Sequence, residues 1–219
     1  MPNIILPFLV KLLAAYLESR MGATQVPGLR TLYDKDIALL ELKQKEGAVI
    51  VILGARGTGK TELAYRLAEF LGKPTYAVSP EQTPPKWIHR VSVENFAEEV
   101  PPNSTLIADD LPVYMSSRQY TQPFAKGMEK IIPMVRHERK LHLIFVSQSG
   151  SQADKYALDA DAAFLKPGSI FLSDTERPGI KKVYDEINPI FEGKSEDWIR
   201  KHAFLIARRF KGMITVEKT

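Results

Sequence analysis

Apolar runs alternate along this chain with segments in which apolar residues recur at helical spacing. Residues 48–53 are Ala-Val-Ile-Val-Ile-Leu, and residues 62–71 place apolar side chains every three or four positions before Gly72. A short unbroken apolar run predicts a strand buried on both faces, whereas the wider spacing predicts a helix with one buried face. Together the two segments predict a strand that leads directly into a helix.

The same alternation continues over most of the chain. Further strands are predicted at 74–79, 87–93, 104–108, 141–148 and 162–165. Helices are predicted at 34–45, 94–100, 116–140 (with breaks at Pro123 and Pro133), 154–161 and 176–191. Residues 203–209 and 213–216 flank Lys211-Gly212 and predict a hairpin. The predicted fold class is α/β, a mainly parallel sheet with helices on both faces and a closing antiparallel hairpin.

The composition is that of a globular protein with one large domain. The 219 residues are 44% apolar and 26% charged, and none is cysteine, which excludes disulfides and thiolate metal sites. The net charge of +4 is compatible with a polyanionic partner but does not require one.

Residues 4–17 are almost entirely apolar, interrupted by Lys11. This stretch is shorter than the roughly 20 apolar residues that span a bilayer. We expect an amphipathic helix that packs on the rest of the chain or on a neighbouring subunit, with contact at a membrane surface as the alternative. The predicted division is an N-terminal helix and lead-in over 1–46, followed by one domain over 47–219.

A glycine-rich segment joins the first strand to its helix and carries the clearest chemical signal. Residues 54–61 match G-x-x-x-x-G-K-[ST], in which backbone N–H groups at a helix N-terminus surround phosphate oxygens. Lys60 is expected to reach the terminal phosphates, and the Thr61 hydroxyl is expected to bind Mg²⁺. The predicted cofactors are thus ATP and Mg²⁺. The predicted nucleotide-binding residues are Gly54, Ala55, Arg56, Gly57, Thr58, Gly59, Lys60, Thr61 and Glu62.

Polar side chains follow two other predicted strands. Asp109 and Asp110 come after the strand at 104–108, and Gln148 ends the strand at 141–148. In open α/β sheets ligands bind at the carboxyl edge of the strands, so these side chains are expected to lie beside the glycine-rich segment. Asp109 is the expected metal ligand, Asp110 the group that polarises the attacking water, and Gln148 a sensor of the γ-phosphate. Solvated strand ends are the structural alternative.

Residues 136–140, Arg-His-Glu-Arg-Lys, form a dense charge run before the strand at 141–148. Cations at the end of a helix suit the negative end of its dipole. The functional interpretation is that Arg136 or Arg139 is an arginine finger for the γ-phosphate held by a neighbouring subunit.

These segments occur in an order that resembles the FtsK/HerA group of P-loop ATPases, whose members pump DNA through ring-shaped oligomers. The most specific part is the basic stretch at 136–140 running into a strand that ends in Ser147-Gln148. The compact size is most similar to the genome-packaging ATPases of membrane-containing viruses, and the chain also resembles the Zot-like ATPases of filamentous phages. The resemblance covers roughly residues 48–165.

The resemblance implies a RecA/ASCE-like fold and an ATP-hydrolysing DNA translocase that acts as a ring of five or six copies. It implies roles for Lys60 and Thr61 at the nucleotide, for Asp109 at the metal and for Gln148 at the γ-phosphate. DNA and a capsid or membrane component are the implied partners, in the host cytoplasm or with the virion. The group usually has glutamate where Asp110 stands, so the resemblance leaves room for another base, with Glu138 a weaker candidate. It also leaves the position of the arginine finger open among Arg118, Arg136 and Arg139.

Three other functions use the same phosphate chemistry. A Zot-like ATPase that assembles or extrudes virions at a membrane would explain the apolar stretch at 4–17. A small-molecule kinase is compatible with the glycine-rich segment, although no arginine-rich lid is evident before the strand at 141–148. A nucleotide-dependent adaptor would bind ATP without hydrolysing it.

Overall fold

The computed structural model describes residues 34–78, 83–109, 127, 130–135, 138–148, 160–169, 178–208 and 210–216. Its strands are β1 Ala48–Leu53, β2 Thr75–Val78, β3 Ile88–Val91, β4 Thr105–Ala108, β5 His142–Ser147, β6 Ala162–Leu165, β7 His202–Ala207 and β8 Phe210–Thr215. Its helices are α1 Asp34–Gln44, α2 Lys60–Leu71, α3 Phe96–Glu99, α4 Pro178–Phe191 and α5 Glu196–Lys201, and residues 130–134 are also helical.

The strands form one eight-stranded sheet in the order β3-β2-β4-β5-β1-β6-β7-β8. All pairings from β3 to β6 are parallel, and β7 and β8 add an antiparallel pair beside β6. Strand β5 lies between β1 and β4, so the three strands that end near the predicted site are neighbours. The predicted α/β fold class, with its closing antiparallel hairpin, is confirmed.

Alternate residues of each central strand enter two different cores. In β1, Val49, Val51 and Leu53 pack on the face covered by α4, whereas Ala48, Ile50 and Ile52 pack on the face covered by α1 and α2. Burying a Val, Leu or Ile side chain contributes about 1.5–3 kcal/mol, so a strand covered on both sides gains from every position. This is why β1 is an unbroken apolar run rather than an alternating one.

The structure corrects three details of the predicted elements. The closing hairpin turns between Ala207 and Phe210, and Gly212 pairs with Leu205 inside the ladder. The helical residues 130–134 include Pro133, and residues 138–140 are not helical, with Lys140 at φ 52°. Helix α5 was not predicted, although Ser195 accepts a hydrogen bond from the backbone N–H of Trp198 as an N-cap.

Helix α1 packs on the rest of the described structure, because Ile37, Ala38 and Leu42 are buried and the last two pack in one core with α2. The predicted helices at 4–17 and 154–161, and most of that at 116–140, lie outside the described residues. The division of the chain after residue 46 stays a prediction. Among the helices that are described, none combines the length and the apolar character that crossing a membrane requires.

Candidate active site

The glycine-rich segment leaves β1 and curls back on itself before α2 begins. The Thr58 hydroxyl and the Lys60 ammonium both donate to the carbonyl oxygen of Ala55, over 2.8 and 2.9 Å. Gly59, the residue before α2, has φ 85°, a left-handed conformation that a side chain would strain. Lys60 is only 8% exposed. The segment therefore has the tight geometry that brings backbone N–H groups to one point at a helix N-terminus.

Two predicted metal ligands meet at the mouth of this segment. The hydroxyl of Thr61 donates to Oδ2 of Asp109 over 2.7 Å, although the two residues are 48 positions apart. Asp109 follows β4 and Thr61 opens α2, so both stand at the carboxyl edge of the parallel strands. The structure thus places a hydroxyl and a carboxylate side by side where ligands of open α/β sheets bind.

Gln148 follows β5 and lines the same cleft, which has a volume of about 500 Å³. Eight of the residues singled out from the sequence line it: Arg56, Gly57, Gly59, Lys60, Thr61, Glu62, Asp109 and Gln148. The carboxylate of Glu62 accepts from Arg66 over 2.6 Å, one turn along α2. Most of the predicted nucleotide-binding set therefore surrounds a single cleft.

The remaining predicted residues are placed differently. Asp110, Arg118 and Arg136 lie outside the described residues, so their roles stay predictions. Arg139 donates from Nη1 to the carbonyl oxygens of Ala97 and Val100, at 2.6 and 3.1 Å. These contacts hold the C-terminal end of α3, so Arg139 has a structural role within its own chain. The finger role predicted for Arg139 concerns a neighbouring subunit and stays a prediction.

Helix α5 supplies cleft residues that the sequence did not single out. Asp197, Arg200 and Lys201 line the same cleft as residues of the glycine-rich segment and of α2. Helix α5 has acids in its first turn and bases in its last turn, which is the usual charge order of a helix, and Ser195 precedes it as an N-cap. This pattern could have predicted the helix from the sequence. Nothing in the local pattern indicates that α5 packs beside the glycine-rich segment.

Lys166 is the second feature that sequence reasoning missed. The side chain is fully buried, and its Nζ donates to the carbonyl oxygens of Ile199, Arg200 and His202 at 2.9, 2.9 and 2.6 Å. Burial, with the nearby charge of Lys60, lowers the pKa of Lys166 to about 8. Three carbonyl acceptors thus surround the ammonium where α5 ends.

No protein-family model matches this sequence, and no curated protein matches it. Among solved structures, the genome-packaging NTPase B204 from Sulfolobus turreted icosahedral virus 2 in complex with sulfate superposes with a TM-score of 0.52 at 12% identity, covering 80% of this chain and 98% of that one. The same NTPase in complex with AMPPCP gives 0.50 at 12%, covering 80% and 100%. A structure described as an ATPase gives 0.51 at 14%, covering 94% and 93%.

This chain has a P-loop NTPase fold. The predicted likeness to viral genome-packaging ATPases is confirmed at the level of the fold. Because the identities are so low, the role of each residue has to be argued from the geometry of this chain itself. That geometry is the contact between Thr61 and Asp109 at the glycine-rich segment 54–61, which we call the phosphate loop.

The residues at the mouth of the phosphate loop fit a magnesium ion. Mg²⁺ prefers oxygen ligands and is usually bound by one or two protein side chains together with substrate phosphates. The hydroxyl of Thr61 and the carboxylate of Asp109 supply two such oxygens 2.7 Å apart. The residues that the structure describes contain no group of three or more His, Asp or Glu side chains that would hold a metal alone. The site therefore suits a metal that arrives with a nucleotide.

Proposed function

We propose that this chain hydrolyses ATP in the cleft beside the phosphate loop and uses the reaction to move DNA during virion genome packaging. The observation that carries the proposal is the 2.7 Å contact between Thr61 and Asp109 at the mouth of that loop. Gln148 lines the same cleft, at the end of the strand between β1 and β4. A cleft that only bound phosphate would not need this third strand end.

Each side chain has a distinct task in this proposal. Lys60 neutralises charge on the terminal phosphates, and Thr61 and Asp109 hold Mg²⁺, which offsets the charge that develops during phosphoryl transfer. Asp110 orients the attacking water, and Gln148 contacts the γ-phosphate, so its environment changes when that phosphate leaves. Arg136 or Arg139 of a neighbouring copy completes the site, which makes hydrolysis depend on assembly into a ring.

The DNA substrate is supported by the likeness of the fold to a viral genome-packaging NTPase. The net charge of +4 is compatible with DNA but does not require it. A motor that must move any sequence is expected to contact phosphates rather than base edges. Binding would then weaken steeply as the salt concentration rises.

The test measures ATP hydrolysis with and without duplex DNA for the full chain, for Lys60→Ala and for the control Lys211→Ala. Lys211 is exposed, pairs with Glu186 and lies outside the cleft. We expect hydrolysis that DNA stimulates in the wild type and in Lys211→Ala, and none in Lys60→Ala. Hydrolysis that DNA leaves unchanged, in a protein that also fails to bind DNA, would contradict the proposed substrate.

The second candidate is a Zot-like morphogenesis ATPase, which the apolar stretch at 4–17 favours. This function predicts that the full chain binds lipid vesicles, that deleting residues 1–22 abolishes this binding, and that DNA does not bind in either form. Transfer of phosphate to a small acceptor, detected by mass, would instead indicate a kinase.

A further inference from the structure

We propose that Arg200 binds the phosphates of the nucleotide from within the same subunit, and that the buried Lys166 positions it there. The proposal deepens the proposed function and rests on it, because it assigns a further ligand of the same nucleotide. It concerns an arginine in cis on α5, whereas the finger predicted at Arg136 or Arg139 acts on a neighbouring subunit.

The first observation is the close approach of α5 to the phosphate loop. A Cβ atom added to Gly59 would lie 3.3 Å from Cα of Arg200 and 3.4 Å from its Cβ and Cγ. Cβ and Cγ of Arg200 therefore pack against Gly59, the residue that precedes Lys60. Arg200 also lines the cleft that contains Lys60 and Thr61.

The second observation is the charge balance of the cleft. Glu62 is paired with Arg66 over 2.6 Å, and Asp197 is paired with Lys201 over 2.7 Å. Within the described part of the chain, no acid or carbonyl oxygen forms a hydrogen bond or ion pair with the guanidinium of Arg200, and this side chain is exposed and lines the cleft. A guanidinium in this position has five donors for phosphate oxygens and matches their geometry in pairs.

The third observation is the anchor beneath Arg200. The ammonium of Lys166 donates all three of its hydrogen bonds to the carbonyl oxygens of Ile199, Arg200 and His202. The backbone N–H of Lys166 donates to Leu53 over 2.8 Å, and Ala55 donates to Pro167 over 2.7 Å. Residues 166–167 therefore bind both the base of the phosphate loop and the end of α5.

Lys166 thus fixes the distance between α5 and the phosphate loop through its own side chain and backbone. Its Cβ also lies where Gly54 leaves room, because a Cβ added to Gly54 would be only 2.5 Å away. The ammonium does not reach the cleft itself, since the side chain is fully buried. Lys166 is therefore a positioning residue, and Arg200 is the residue that touches the nucleotide.

The experiment measures binding of a non-hydrolysable ATP analogue with Mg²⁺ to the full chain. The variants are Arg200→Ala, Arg200→Lys and the control Arg208→Ala, an exposed arginine after β7 that does not line the cleft. Arg200→Ala is expected to weaken binding about tenfold or more, since hydrogen bonds to charged groups are among the stronger ones. Arg200→Lys should lose less, and Arg208→Ala should bind like the wild type. A GTP analogue should show the same loss, because the contact is to phosphate.

Equal affinity in Arg200→Ala and Arg208→Ala would overturn the inference, as would a loss confined to one base. Lys60→Ala separates the two proposals. If Lys60→Ala abolishes binding and Arg200→Ala does not weaken it, only this inference fails. If Lys60→Ala leaves binding unchanged, the proposed function fails as well.

A double-mutant cycle with Lys166→Met tests the positioning role. If Lys166 acts through Arg200, adding Arg200→Ala to Lys166→Met should change affinity less than twofold, because the contact is already lost. A full additional tenfold loss would show that the two residues act independently and would overturn the role of Lys166. If Lys166→Met does not fold, the Arg200 variants still decide whether Arg200 binds phosphate.

Discussion

The Thr61 hydroxyl is the single group on which the proposed metal site depends most directly. Thr61→Ser keeps the hydroxyl beside Asp109, and Thr61→Val keeps the shape without it. We expect Thr61→Ser to retain hydrolysis and Thr61→Val to lose about 100-fold in kcat, with a higher Mg²⁺ requirement, which ATPase assays over a Mg²⁺ titration would measure. Similar rates in Thr61→Val and Thr61→Ser would show that this oxygen binds no metal.

His142 gives the fold a dependence on pH that is separate from the chemistry. The imidazole is buried in β5, and burial, with the charge of Lys73, lowers its pKa from 6.5 to about 4. Between these values the unfolded chain binds a proton that the folded chain does not, so the free energy of unfolding falls as the pH falls. At pH 5 the loss from this one group is about 2 kcal/mol.

Replacing His142 with leucine should remove that part of the pH dependence. Urea unfolding at pH 7.5 and pH 5 would measure it, with His89→Gln on the exposed face of β3 as the control. His142→Leu should lose about 2 kcal/mol less than the wild type over this range, and His89→Gln should follow the wild type. Equal losses in all three proteins would mean that His142 is not the group responsible.

At the scale of the element, α2 is bounded by two glycines with the same backbone conformation and different surroundings. Gly59 has φ 85° and lies against Arg200, whereas Gly72 has φ 73° and no atom near an added Cβ. Alanine at either position should cost roughly 1–2 kcal/mol of stability through backbone strain.

Only Gly59→Ala should also weaken nucleotide binding, because only there does the new methyl group press on α5 and on the loop that surrounds the phosphates. Thermal unfolding and ATP-analogue binding of Gly59→Ala and Gly72→Ala would separate the two effects. A similar loss of affinity in Gly72→Ala would show that general destabilisation explains both.

How much of the fold and of the candidate site the sequence could predict depends on whether the interactions are local or distant along the chain. The contact between Thr61 and Asp109 was predictable, because each residue follows a recognisable strand and parallel strands end at one edge. The wall formed by α5 was not predictable, because it depends on Lys166 reaching carbonyls more than 30 positions away. The hairpin turn was misplaced because Gly212 resembles a turn residue, yet it pairs within β8.

At the scale of the whole molecule, the strand order links the chemical groups to one another. Strand β5 is bonded to β1 on one side and to β4 on the other, so Gln148 follows the strand between the phosphate loop and Asp109. Under the proposed roles, a change at the γ-phosphate would therefore act beside three neighbouring strand ends.

The finger can be tested by mixing two variants that are each inactive. Lys60→Ala cannot use its own nucleotide but keeps its arginines, and Arg136→Ala keeps its own cleft but lacks the proposed finger. If the finger acts between subunits, co-assembled rings contain interfaces in which an intact cleft meets an intact finger. Random mixing in equal amounts makes about a quarter of the interfaces competent, so about a quarter of the wild-type rate is expected if interfaces act independently.

Arg139→Ala serves as the comparison in the same assay, because Arg139 binds the carbonyls of Ala97 and Val100 within its own chain. If this role is purely structural, Arg139→Ala should lower the unfolding temperature. A mixture of Arg139→Ala with Lys60→Ala should then be no more active than a mixture of the wild-type chain with Lys60→Ala in the same ratio. Restoration by Arg139→Ala but not by Arg136→Ala would assign the finger to Arg139 instead. Restoration by neither variant would contradict a finger from this basic stretch. An arginine that acts across an interface, when it is missing from one subunit, must be supplied by the intact Lys60→Ala subunit beside an intact cleft.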